Sequence, residues 1–204
     1  MKKKSNWLIL LGLVIIGILI GGKIFMNKTV EKNSDEKLYQ DAFTQIQKDV
    51  TDYLVKNYQG IEKIAWQGIG IEYRNSDIYG SSLLGNYVDS DVRIYVSKDN
   101  YFTMNFTLNG QMSFDDEKGK YAYREWDENL NDYVFKDTIR THTVDSYIKE
   151  GIDNTLYKYN DDPDNNVLSV SQSEKEELQT VKKAPVGSKE VEIIYSLKIK
   201  ELTY

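Results

Sequence analysis

The chain has 204 residues, no Cys, one His and a formal net charge of -6. That length allows one domain with or without an anchor, and the missing Cys excludes disulfide staples and a thioether-linked lipid. The acidic balance argues against a nucleic-acid partner, and one His without Cys leaves no ligand set for zinc.

Lys2, Lys3 and Lys4 precede an apolar run from Trp7 to Ile20, broken only by Gly12 and Gly17, and no Asp or Glu occurs before Glu31. About 20 apolar residues span a bilayer. Trp7 to Met26 is therefore expected to be a transmembrane helix, with Lys23 snorkelling to the headgroups and Trp7 at an interface. The lysines should stay cytoplasmic, which puts the rest of the chain outside the membrane. A cleaved signal peptide is the alternative, although the stretch around Gly21 and Gly22 lacks an A-x-A pattern. Both readings export the remainder. The expected organisation is a cytoplasmic tail and anchor at 1–26, a polar linker at 27–34 and an extracytoplasmic domain at 35–204. Four of the 26 Lys+Arg lie in the anchor region, so the exported part holds 22 basic and 32 acidic residues. Its negative charge disfavours docking of the domain on anionic lipid and permits a basic protein partner or divalent cations.

After the linker, Asn33 with Glu36 reads as a helix cap. Leu38, Ala42, Ile46, Val50 and Leu54 then recur every four residues, with Phe43 and Tyr53 beside them, as one apolar stripe that Gly60 stops. The period changes to two at Ile69, Ile71 and Tyr73. Gly68-Ile69-Gly70 inside this strand reads as a bulge or a close backbone approach, not a phosphate loop. Asn75-Ser76-Asp77 reads as a turn and Gly80 to Asn86 as an irregular loop. Strands follow over Tyr87–Val96, Tyr101–Leu108 and Gln111–Asp115, and Asn109-Gly110 predicts a type I′ hairpin between the last two. Two further strands are expected at Tyr121–Glu128 and Tyr133–Thr141. A helix follows from Val144 to Leu156, weakened by Gly151. Asn160–Asn166 is an acidic loop containing Pro163, Ser173–Lys182 a short helix, and Val191–Lys200 a closing strand. The expected fold class is α+β: a single N-terminal transmembrane helix, then an antiparallel twisted sheet packed by helices on one face.

Catalytic chemistry finds little support. His142 has no second imidazole or thiol to work with and reads as a solvent-facing residue at a strand end. Asp115-Asp116-Glu117 and Asp161-Asp162-Pro163-Asp164 are acidic turns, and the second lacks the Gly and the distal Glu of an EF-hand loop. No catalytic residue, metal site or cofactor is assigned. The open sheet face offers more. With Val88, Val92, Ile94 and Val96 inward, Tyr87, Asp89, Asp91, Arg93 and Tyr95 face outward. Tyr101, Thr103, Asn105 and Thr107 extend that face, and Gln111, Ser113 and Asp115 should continue it. Tyr and Arg are enriched at binding hot spots. Tyr87, Asp89, Asp91, Arg93, Tyr95, Thr103, Asn105 and Asp115 are therefore the candidate partner-binding residues.

With Lys2-Lys3-Lys4, the Trp7–Met26 run, the helix before a Tyr-rich sheet and an acidic domain without Cys, the chain resembles the TipC family. These are membrane-anchored immunity proteins of Gram-positive bacteria that protect streptococci against a type VII-secreted lipid II phosphatase toxin. The resemblance is architectural and covers the whole chain. It implies a non-enzymatic protein whose outward sheet face binds and blocks a secreted toxin in the cell-wall space. A structural or assembly component of an envelope secretion or conjugation machine is the alternative, and a carboxylate-using envelope hydrolase a third.

Overall fold

The protein is described by a computed structural model over residues 34–74, 85–157 and 170–203. The expected anchor at 7–26, the cap at Asn33, most of the linker, the turn at Asn75–Asp77 and the acidic loop at 160–166 lie outside these residues. Among the described residues, no helix is long and apolar enough to cross a membrane. Two units are distinguished, residues 1–38 and 39–204. The first contributes residues 34–38, the opening turn of a helix, to the described part.

That helix, α1, covers residues 34–57. Ala42, Phe43, Ile46, Val50 and Leu54 are buried along it, as their spacing predicts. Among the described residues, eleven strands follow in chain order: β1 (Tyr58–Gln59), β2 (Lys63–Trp66), β3 (Ile69–Glu72), β4 (Tyr87–Tyr95), β5 (Tyr101–Thr107), β6 (Met112–Asp115), β7 (Lys120–Asp127), β8 (Asp132–Lys136), β9 (Lys182–Lys183), β10 (Glu192–Ile194) and β11 (Ile199–Glu201). Helices α2 (Leu108–Gln111), α3 (Thr141–Tyr157) and α4 (Gln172–Leu178) complete the α+β fold. Ser171 caps α4 with a full capping box: its hydroxyl accepts from the Glu174 N–H while the Glu174 carboxylate accepts from the Ser171 N–H.

The main sheet is mixed, which corrects the expectation of an antiparallel one. β4 is central. It pairs antiparallel with β5 on one side and with β2 and β3 on the other. β10 and β11 then add to β2 and β3 in parallel. Alternation fixes which face a strand buries but not its direction, so this return was invisible in Val191–Lys200 alone. That segment is also two strands, not one.

The break has a cause in the register. Trp66 faces Val92 and Gly70 faces Asp89, so the β2–β3 side carries one more residue than β4. The extra residue is a bulge at Gln67-Gly68. It preserves phase: Ile64, Trp66, Ile69 and Ile71 are all buried although the step from Trp66 to Ile69 is odd. Gly68 has φ +99, and a Cβ there would lie 2.5 Å from the Lys198 carbonyl oxygen. The bulge reading of Gly68 is thus met. The neighbouring ribbon gains a residue as well, between Ile194 and Ile199, and there the backbone turns to α1 instead. Gln47 and Gln40 of α1 donate to the Ser196 and Leu197 carbonyls, at 2.8 and 3.1 Å.

The core lies between the inner sheet face and α1 with α3. Ile64, Trp66, Ile69, Ile71, Val88, Val92, Ile94, Phe102, Met104 and Phe106 are buried there. Trp66 Nε1 donates to Thr51 Oγ1 of α1 at 3.1 Å, so its one polar group is satisfied. Val144 and Ile148 are the buried face of α3. Gly151 lets α3 lie against β5, since a Cβ would be 2.6 Å from the Thr103 carbonyl oxygen.

The expected hairpin at Asn109-Gly110 does not form. Residues Leu108–Gln111 make one helical turn that carries the chain off β5. Leu108, Gln111 and Met112 are buried by that turn, and Gln111 Nε2 donates to Tyr147 OH at 2.6 Å. A hairpin would have kept Leu108 and Gln111 in opposed strands instead. β6 pairs with β7, and β7 with β8, as a separate three-stranded antiparallel sheet. The strand expected to reach Thr141 ends at Lys136.

Candidate functional site

β4 and β5 lie in register over seven residue pairs, so their outward side chains form rows. Tyr95 faces Tyr101, Arg93 faces Thr103, Asp91 faces Asn105 and Asp89 faces Thr107. β2, β3 and β10 extend the rows: Glu192, Lys63 and Tyr95 align, as do Ile194, Ala65 and Arg93. Asp91, Thr103 and Asn105 are exposed, whereas Tyr87, Asp89, Arg93, Tyr95 and Tyr101 are half-buried by one another.

The face has two halves. At one end, Lys63 Nζ is 3.2 Å from Glu192 and 5.6 Å from the Tyr95 ring centre. The Tyr95 and Tyr101 rings are 5.0 Å apart, and the Arg93 guanidinium lies 5.0 Å from the Tyr101 centre. Rings and cations hold each other through quadrupole attraction. At the other end, Asn105 Nδ2 donates to Asp91 at 2.8 Å and to Asp89 at 3.1 Å. The Tyr87 hydroxyl donates to Asp89 over 3.4 Å, and the Arg74 guanidinium sits 5.4 Å from the Tyr87 ring. Gly70 opens room beneath Asp89, because a Cβ there would meet Asp89 Oδ1 at 2.5 Å. Burial, followed by the Asp91 charge, pushes the Asp89 carboxyl above its usual range against the pull of Asn105. One amide nitrogen thus serves two carboxylates.

Seven of the eight residues expected on the face therefore come together: Tyr87, Asp89, Asp91, Arg93, Tyr95, Thr103 and Asn105. Asp115 does not. It ends β6 in the other sheet and is 3% exposed. Its Oδ1 accepts from the Glu117 and Lys118 N–H groups, and Lys118 Nζ lies 3.1 Å from Oδ2. Burial opposes its ionisation, but Lys118 and the two N–H groups outweigh that and hold the carboxyl below the usual range. Asp115 organises the β6–β7 turn. Gln111 is buried and also leaves the outward array. His142 opens α3 and is exposed. Among the described residues, no three carboxylate, imidazole or thiol groups converge as metal ligands.

The residue pattern missed two features. One is the aromatic surface of the three-stranded sheet, where Trp126 and Tyr133 meet at 5.2 Å and Arg124 stacks 4.6 Å from the Tyr133 centre. Tyr133 and Phe135 lie in a strand that was expected, and both are exposed. A cavity of about 280 Å³ adjoins it, lined by Gln111, Tyr123, Trp126, Tyr133, Arg140 and Tyr147 among others. The other is a polar knot at Asp145. Its Oδ1 accepts from the Tyr53 and Tyr58 hydroxyls at 2.7 and 2.6 Å, and Lys183 Nζ reaches Oδ2 at 2.8 Å. This knot ties α1, β1, α3 and β9 together. It joins residues from four elements, so no local pattern announces it.

No protein-family model matches the chain, and neither a curated protein nor a solved structure is significantly similar to it.

Proposed function

We propose that this chain is a non-enzymatic, membrane-anchored protein whose extracytoplasmic domain binds and neutralises a secreted antibacterial toxin, as a TipC-like immunity protein would. The supporting observation is the outward face of β4 and β5. It sets paired tyrosines, an arginine and two carboxylates side by side on a rigid sheet. Such a face suits protein recognition. Tyr and Arg give large contact area at low entropic cost, and the strands pre-organise it. The partner's contact surface should carry a cation for Asp89 and Asp91. Asn105 bridges these carboxylates, and their mutual repulsion is relieved by an incoming Lys or Arg.

The test is co-expression with candidate secreted toxins in a sensitive cell, followed by binding measurements on the full chain. Asp91→Lys, Arg93→Glu and Tyr95→Ala should each weaken binding about tenfold or more, equivalent to about 1.4 kcal/mol. Their thermal midpoints should stay near that of the parent, because all three side chains lie outside the core. Unchanged affinity in all three rejects this face. Stable co-purification with a multi-component membrane complex would favour the assembly role instead.

A further inference from the structure

The cavity of about 280 Å³ lies between the β7–β8 hairpin, the turn α2 and the opening turns of α3. Strand pairing sets its cations and rings side by side. Trp126 faces Tyr133 and Arg124 faces Phe135, which puts all four on one sheet face. The Arg124 guanidinium thereby reaches the neighbouring Tyr133 ring, 4.6 Å from its centre. After β8 ends, residues 137–140 bring the chain back to β7, and Arg140 meets Glu125 at 2.9 Å. Three cations line the cavity, Arg124, Lys136 and Arg140, and Glu125 is its one carboxylate. Asp127 and Glu128 stand along a neighbouring hollow instead. The lining thus has an excess of two positive charges, in a chain whose net charge is -6.

The fold does not use up these donors. Among the described residues, Arg124 and Lys136 enter no ion pair, and both are exposed. A guanidinium held over a ring keeps its N–H groups for an acceptor. Arg140 commits Nη2 to Glu125 and the Trp126 carbonyl, while its Nε has no partner. The Tyr147 hydroxyl accepts from Gln111 at 2.6 Å, which leaves its own proton for another acceptor. Trp126 and Tyr133 add exposed ring surface beside these donors. We infer that this cavity binds a phosphate monoester carried on a single ring. The excess of two charges matches a dianion. A phosphate monoester, with a second pKa of about 6, is one at neutral pH, and a carboxylate is not. Arginine N–H groups also fit phosphate oxygens in pairs. The volume is at the small end of ligand sites, so it admits one ring with its phosphate and excludes the chains of a lipid. The inference does not depend on what the β4–β5 face binds.

Phenyl phosphate is the probe, titrated calorimetrically into the full-length chain in detergent micelles at neutral pH and physiological salt. Binding should be saturable and one-to-one. Arg124→Gln and Lys136→Gln should each weaken it about tenfold, the effect of one charge-assisted hydrogen bond. Their thermal midpoints should not move, because both side chains are exposed. Glu125→Gln removes the opposing carboxylate and should tighten binding several-fold, a gain that a purely structural role for these residues does not give. Two further ligands separate charge from ring. Benzoate keeps the ring with a single charge, and inorganic phosphate keeps the charge without the ring. Each should bind about tenfold more weakly than phenyl phosphate. Absence of saturable binding overturns the inference, as does unchanged affinity in both Arg124→Gln and Lys136→Gln. Benzoate binding as tightly as phenyl phosphate rejects the dianion, and inorganic phosphate binding as tightly rejects the ring.

Discussion

At the scale of single residues, two carboxylates with opposite surroundings set the acid response. Burial would raise the Asp145 pKa, but Lys183, Tyr58 and Tyr53 outweigh it and leave the carboxyl below its usual range. Its stabilisation is therefore present above the unfolded-state value of about 3.9 and is lost as pH falls through the lower folded value. Asp89 is the reverse case. Burial and Asp91 raise it, so its ionised form costs stability at neutral pH, and acidification through the raised value removes that cost. Asp145→Asn should lower stability near neutral pH by roughly 1–2 kcal/mol, a figure discounted because the site is partly open to solvent. It should also flatten the loss of stability below about pH 4, where the parent gives up this contribution. Asp89→Asn should be neutral or mildly stabilising. Urea midpoints across the acid range measure both, and a variant Asp145→Asn with the parent's full acid sensitivity would contradict the assignment. Neither behaviour was legible in the sequence, because Tyr53, Tyr58, Asp145 and Lys183 converge only in the fold.

At the scale of elements, the sequence was informative where periodicity is long and partners are local. The α1 stripe and the alternation of β4 and β5 gave both elements and their faces, and seven outward residues with them. β2 was missed because Ile64, Ala65 and Trp66 are buried in succession, without alternation. The hairpin failed because Asn-Gly permits a type I′ turn but cannot outweigh burying Leu108, Gln111 and Met112. Asp115 was misplaced as a consequence, having been counted along a strand that never joins β5. Gly68 was read correctly, and its role is testable. Gly68→Ala must adopt a positive φ and also displace the Lys198 carbonyl. It should cost roughly 2 kcal/mol or more. Faster amide exchange at Ile69, whose N–H donates to that carbonyl at 2.9 Å, would locate the damage. Exchange unchanged at Ile69 would mean that the bulge tolerates a side chain.

At the scale of the whole molecule, charge decides how a partner is met. Beyond the N-terminal lysines the chain is acidic, with all 32 of its Asp and Glu. A basic toxin would be steered toward it, so under the proposed function the association rate should fall severalfold from low to physiological ionic strength. Dissociation should change less, since contacts on the β4–β5 face are short-ranged. Stopped-flow mixing at several salt concentrations reads this, and a salt-independent association rate would leave the acidic composition without a role in capture.

The parallel pairing of β10 and β11 with β2 and β3 also sets the order in which the fold can be completed. Lys63 meets Glu192, and Ile69 meets Ile199, partners at nearly opposite ends of the folded region. Closing so long a loop is slow, and it cannot begin until residues 192–201 have left the ribosome and any export channel. Until then the β2–β3 edge stands unpaired, and α1 lacks the Ser196 and Leu197 carbonyls that its glutamines hold. A chain halted before Glu192 would keep nearly all its core side chains yet display an open edge. For this protein the period of exposure to misassociation thus lasts until β10 and β11 have been made and have docked.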